Sequence, residues 1–146
     1  MLRSLFTQLL FRQDEVLLLD MYAGVEHLGR ATADFVDAMV IVVGPTRRSL
    51  TAADQIEGMA RDIGLTRTPL VGNKVRNDED LAFLERAGTG GRLLGHLPDD
   101  PSAIEADHRG EAIYTASPSL RQAAARIADA LDRLVGSTEP QVGDER

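Results

Sequence analysis

The chain has no cysteine, which removes disulfides, thiolate metal sites and cysteine nucleophiles together. Nothing in it marks an oxidising compartment, and a cytoplasmic setting is the default. Long apolar runs are missing too. The longest, such as AMVIVVG at 38–44, fall far short of the roughly 20 residues that a membrane-spanning helix needs, so no membrane partner is expected. Basic residues are in deficit, with 16 Lys and Arg against 23 Asp and Glu and a formal net charge of −7. No basic stripe is available to release counterions from a phosphate backbone, and nucleic acid is not an expected partner. What is present is 146 residues, one domain by length and enough to bury a core without covalent staples.

The N-terminal stretch MLRSLFTQLLFRQDE has one arginine ahead of apolar residues, as a short signal peptide does. Leu2, Leu5, Phe6, Leu9 and Leu10 nevertheless recur at helical spacing, and the stretch reads as an amphipathic helix. Four short apolar runs follow, each ending in turn residues: VLLLD (16–20), AMVIVVG (38–44), TPLVGN (68–73) and GRLLGHLP (91–98). They read as buried strands. Helical stripes separate and follow the later ones. Leu50, Ala53, Ile56, Met59, Ala60 and Ile63 share one face, with Ser49 or Thr51 as cap and Gly64 as stop. NDEDLAFLERAG is capped by Asn77 or Asp78 and closed by Gly88; its acidic start suits a helix N-terminus better than a metal site. The last helix places Leu120, Ala124, Ile127, Leu131 and Leu134 on one stripe, with Gly136 after it. Apolar strands alternating with helices predict an α/β fold, a mostly parallel sheet with helices on both faces. Residues 1–136 form the domain, and 137–146, STEPQVGDER, read as a disordered polar tail.

The stretch LLLDMYAGVEHLGR raises the functional question, because it delivers Asp20, then Gly24, Glu26 and His27, to the carboxyl end of a strand. Ligands of open α/β sheets bind at that edge, and the irregular 21–37 segment is long for a connection. Aspartate is also an ordinary turn or capping residue. Glu26 and His27 read as a solvated turn, His96 and His108 as structural residues, and Arg47–Arg48 as a solvated helix start with Ser49 as cap.

LLLDMYAGVEHLGR resembles the Walker B and switch segment of the MinD/ParA-like P-loop ATPases, in which a strand-end Asp precedes an Ala-Gly-hydrophobic-Glu run. Its EHLGR continuation is similar to the accessory ATPases that insert nickel into carbon monoxide dehydrogenase. LVGNKV resembles that family's strand followed by Asn-Lys, and LGHLPDDPSAIEADHRGEA its later strand, Pro-acidic loop and helix. The resemblance covers residues 1–136. It implies ATP and Mg2+, with Asp20 holding the ion through water and Gly24 offering its N–H to the γ-phosphate as a switch. Asn73, Lys74, Pro98 and Asp99 would border the adenine. The implied partners are a second copy of the chain and a nickel metalloenzyme client.

Departures from the family set further expectations. No Gly-x-x-x-x-Gly-Lys-Ser/Thr or lysine-signature variant occurs, and GTGGR at 88–92 ends in arginine and follows a helix. A phosphate cradle needs loop N–H groups opening a helix, a lysine and a magnesium-binding hydroxyl. In the family that loop, further βα units and a Cys-x-Cys metal motif precede the Walker B strand. The sequence is therefore expected to be the C-terminal portion of a longer enzyme, binding neither ATP nor Mg2+ tightly alone and inactive without a half that carries the phosphate loop. Tyr22 and Ala112 stand where the family has other residues, which bears on the switch geometry. Two other readings stay open, a non-catalytic interaction module derived from the fold and a chain whose true start lies upstream. Without the phosphate-loop strand, residues 16–20 either pair directly with 38–44 or leave sheet edges that recruit another chain.

Overall fold

The computed structural model describes residues 16–20, 36–87 and 92–136. Three parallel strands form the sheet in the order β1 (Ile41–Val43), β2 (Leu70–Val75), β3 (Leu93–Pro98). Helix α1 (Arg47–Asp62) joins the first two and α2 (Asp78–Ala87) the second two. After β3 come α3 (Pro101–His108), a single turn α4 (Ile113–Ala116) and the long α5 (Pro118–Gly136). The amphipathic stripe over 50–63 and the acidic start at 77–80 thus become α1 and α2 as the periodicity predicts.

Register shows which helix lies on which face. Ile41 pairs with Leu70, Val42 with Val71 and Val43 with Gly72; Val71 in turn pairs with Gly95, and Gly72 with His96. Because side chains alternate, Ile41, Val43, Leu70, Gly72 and His96 share one face while Val42, Val71 and Gly95 share the other. A Cβ on Gly72 would sit 2.7 Å from Leu84 Cδ1 of α2, and one on Gly95 would sit 2.9 Å from Ile127 Cγ1 of α5. Helices therefore cover both faces, and each glycine is the place where a helix approaches the sheet closely. The main core lies under α1 and α2, where Ile41, Val43, Ala53, Leu70, Val75 and Leu84 are buried together.

Several details depart from the sequence reading. Residues 16–20 form no strand, and all five are exposed, with Val16 at 84% and Leu18 at 83%. A strand is stabilised by its ladder, and among the described residues no backbone pairs with this segment. β1 pairs with β2 and not with 16–20, so the direct pairing alternative does not hold. Coverage of the second face is also incomplete: α5 packs on β3, leaving Val42 of β1 58% exposed. The cap of α1 is Thr46 rather than Ser49 or Thr51. Its hydroxyl accepts the N–H of Ser49 at 3.2 Å, while Ser49 Oγ accepts the N–H of Gly44 at 2.9 Å. Gly64 does end the helix, at a φ of 95° that favours glycine. On α5 it is Ala123, 2% exposed, that faces the sheet, whereas Ala124 is exposed. The predicted Gly88 stop, the helix over 2–10 and the tail from 137 onward lie outside the described residues.

Candidate functional site

Parallel strands end at one edge of a sheet, and here that edge gathers Gly44 after β1, Asn73 and Lys74 near the end of β2, and Pro98 and Asp99 at the end of β3. Between Gly72 and Val75 the ladder shifts, three steps on β2 matching two on β3 from His96 to Pro98. The extra residue is a bulge at Asn73–Lys74. Lys74 takes the left-handed conformation there, with φ 57°, and its N–H donates to Asn73 Oδ1 at 3.0 Å. Bulges re-aim side chains, and a non-glycine residue in this region is a local strain that the surrounding structure holds in place. The ladder resumes with the Asp99 N–H donating to the Val75 carbonyl at 3.0 Å.

Asn73, Lys74, Pro98 and Asp99, singled out from the sequence, line one cleft of about 400 Å³. Its other wall is mainly apolar, built by Leu97, Ile104, Ile113, Tyr114 and Leu120, with Asp100 and Arg121 also lining it. Asn73, Lys74 and Asp99 also border a second cleft, about 510 Å³, that extends toward Val42, Gly44–Thr46 and Arg76. These three residues form the ridge between the two. A few polar groups converging on a mainly apolar wall are the usual make-up of a small-molecule site. Asp20 lines neither cleft and is exposed. The sequence reading that a buried strand carries it to this edge is thus corrected, because residues 16–20 have no sheet partner among the described residues. Gly24, Glu26 and His27 lie outside the described residues.

The floor beside Asp99 is built by Asp100, which the sequence reading passed over. Asp100 caps α3: one carboxylate oxygen accepts the Ser102 N–H at 2.9 Å and its hydroxyl at 2.7 Å. The other accepts the hydroxyls of Ser117 at 2.5 Å and Ser119 at 2.6 Å. Ser117 is fully buried and caps α5, taking the Leu120 N–H at 3.2 Å. One carboxylate thus ties together the starts of α3 and α5. The signal was local: Asp100-Pro101 and Ser117-Pro118 each put a capping residue before a proline at the first helical position.

A second carboxylate anchors α2. Asp80 accepts from Arg76 Nε at 2.8 Å, from Nη2 at 2.9 Å and from the Arg76 N–H at 3.1 Å, while Asn77 caps the helix through the Asp80 N–H at 2.9 Å. Side-chain and backbone hydrogen bonds from Arg76 hold the Asp80 carboxyl below its usual range. The hydroxyls of Ser117, then Ser119 and Ser102, do the same to Asp100 more strongly. A carboxyl depressed in the folded state stabilises the fold in full above its unfolded pKa, near 3.9, and this contribution fades as pH falls through that value toward the folded one. Acid unfolding should accordingly begin below about pH 4. In Asp100→Asn, which cannot ionise, the unfolding free energy should be lower at neutral pH and its decline from pH 5 to pH 2 shallower, as urea titrations across that range would show.

No family model matches the chain. Over 139 residues, 95% of this chain and 53% of the relative, it is 39% identical to the carbon monoxide dehydrogenase accessory protein CooC of Rhodospirillum rubrum. Over 124 residues, 84% of this chain and 48% of the relative, it is 37% identical to an uncharacterized ATP-binding protein of Methanocaldococcus jannaschii. The chain therefore spans about half the length of the curated relatives it matches. Among solved structures, the MinD cell division protein of Aquifex aeolicus superposes with a TM-score of 0.56 at 23% identity, over 76% of this chain and 49% of that one. A ParA family ATPase from Chlorobium tepidum gives 0.50 at 20% identity, over 73% and 46%.

Proposed function

We propose that this chain, which has the fold of the MinD and ParA ATPases and is similar to CooC, supplies the base-binding portion of an ATP site. The observation that carries the reading is the convergence of Asn73, Lys74, Pro98 and Asp99 on one cleft at the carboxyl edge of the sheet. Asn73 offers an amide donor and acceptor at the re-aimed bulge, suited to the two-sided hydrogen-bonding edge of adenine. Pro98 and the apolar wall would take the ring.

Among the described residues no three His, Asp or Glu groups cluster to hold a cation. Mg2+ would be held chiefly by ATP's own phosphates, and the family resemblance gives Asp20 as its contact through water and Gly24 as the N–H donor to the terminal phosphate. Phosphoryl transfer rests on positioned charge, so a phosphate loop and its lysine are needed to complete the site. No helix among the described residues is long and apolar enough to cross a membrane, and the proposed setting is cytoplasmic. CooC is named for its accessory role toward carbon monoxide dehydrogenase. On that ground the client proposed is a nickel metalloenzyme, and the working form a homodimer or a complex with a chain bearing the phosphate loop.

Because the 146 residues carry no Gly-x-x-x-x-Gly-Lys-Ser/Thr, the purified chain is expected to hydrolyse ATP no faster than a blank. Co-expression with the phosphate-loop half of a nickel-insertion accessory ATPase should produce Mg2+-dependent hydrolysis that Asp20→Asn abolishes. Turnover by the chain alone, sensitive to Asp20→Asn, would contradict the half-site reading, as would a folded pair without activity.

A further inference from the structure

We propose that Tyr114 is the stacking wall of the β2–β3 cleft, laying one face of its ring on a purine base while Arg121 braces the other. The proposal rests on the base-binding reading above and names the groups that would hold the flat face of the base, which Asn73 and Asp99 do not supply.

Tyr114 stands on the one-turn helix α4 and is 69% exposed. Its neighbours on the cleft, Ile104 and Ile113, are 62% and 43% exposed. Three large apolar groups presented to solvent around one opening mark a place where something apolar binds. The Arg121 guanidinium lies 5.5 Å from the Tyr114 ring centroid, and its Nη1 donates to the Tyr114 carbonyl at 3.5 Å. Arg121 therefore contacts both the backbone and the ring of Tyr114. A planar ring has two faces, and with Arg121 over one of them the proposal sets the base against the other, in the cleft that both residues line. The cation also draws electron density from the ring, which favours stacking on an electron-rich base. Asp100, at the same wall, has its carboxylate taken up by three serine hydroxyls. This end of the cleft thus recognises shape and π surface, and the Asn73 end recognises the hydrogen-bonding edge. A purine, with more ring area than a pyrimidine, gains more from such a wall.

The test is an NMR titration of the isotopically labelled full chain with adenosine and with cytidine. The chain has two tyrosines, so Tyr22→Phe assigns the Tyr114 ring signals. Adenosine should shift the Tyr114 ring protons upfield and cytidine less so. Tyr114→Ala should weaken adenosine about tenfold. Tyr114→Phe should recover the loss, and Tyr114→Leu, apolar but not aromatic, should not. Arg121→Ala should reduce the ring shift together with affinity, and Arg121→Lys should restore part of both. The amide spectrum of each variant reports whether it is folded. If adenosine shifts the Asn73 and Asp99 amides but binds Tyr114→Ala as tightly as the parent, the stacking wall is overturned and the base-binding reading stands. The stacking wall is overturned in the same way if Tyr114→Leu restores affinity. If adenosine shifts no cleft amide in the parent, the base-binding reading itself fails.

Discussion

Leu84→Ala is expected to destabilise the chain by about 2–5 kcal/mol, the range for deleting a buried leucine side chain beyond Cβ. Leu84 is 1% exposed at the centre of the cluster formed by Ile41, Val43, Leu70 and Val75. It also fills the space that Gly72 leaves, since a Cβ there would meet Leu84 Cδ1 at 2.7 Å. That geometry predicts coupling. Gly72→Ala alone overpacks the site and should cost about 1–3 kcal/mol. In the double variant the new methyl enters the cavity left by the shortened leucine, so the sum of the single losses should exceed the loss measured. The contact from position 72 to His96 Cβ, at 3.1 Å, stays tight and keeps the recovery partial. Urea unfolding with unchanged m-values measures each term, and strict additivity would show that Leu84 and Gly72 do not share one space. Since domains of this size are stable by only about 5–15 kcal/mol, Leu84→Ala alone removes a large share of the total.

Asn73→Ala is expected to weaken adenosine binding by about ten- to a hundredfold, the scale of losing a two-bond amide contact to adenine. It should also erase any preference for adenosine over inosine, which carries a carbonyl where adenosine has the amine. The Asn73 side chain already accepts the Lys74 N–H at 3.0 Å. A carbonyl oxygen has a second lone pair, and the amide NH2 remains a donor, so both halves of the contact stay available. Loss of the Lys74 partner also loosens the bulge, and unfolding curves on the same variant separate that effect from binding. An adenosine-to-inosine ratio unchanged by Asn73→Ala would mean that the amide does not read the base.

What was legible in the sequence is what local chemistry dictates. The stripes of α1 and α2, the apolar runs of β1 to β3 and their alternation gave the parallel α/β order, whereas Asn73, Lys74, Pro98 and Asp99 were singled out by the resemblance of LVGNKV and LGHLPDD to a known family. What was not legible depends on partners distant in sequence. VLLLD at 16–20 has the composition of a buried strand, yet burial requires a neighbouring ladder; among the described residues none pairs with it, and its exposure runs from 84% at Val16 to 45% at Leu17 and 83% at Leu18. Ala123 and Ala124 stand three and four residues after Leu120, on opposite flanks of the α5 stripe, and spacing alone does not choose between them. The bulge at Asn73–Lys74 is a matter of register with β3, invisible in the β2 sequence. Tyr114 and Arg121 reach the cleft from α4 and α5, elements that the Asp100 knot with Ser117 and Ser119 brings beside β3. Ser49 was expected to cap α1 where Thr46 does, because both residue types cap well, and Ser49 instead binds back to Gly44.

The central proposal is that the cleft of Asn73, Lys74, Pro98 and Asp99 is the base end of an ATP site whose phosphate loop these 146 residues do not carry. Calorimetric titration of the purified 146-residue chain with adenosine and with ATP in the presence of Mg2+ tests it most directly. The account predicts weak binding of adenosine, ATP bound no more tightly, and loss of both in Asn73→Ala. ATP bound in the low micromolar range or tighter, or adenosine binding that survives Asn73→Ala, would contradict it.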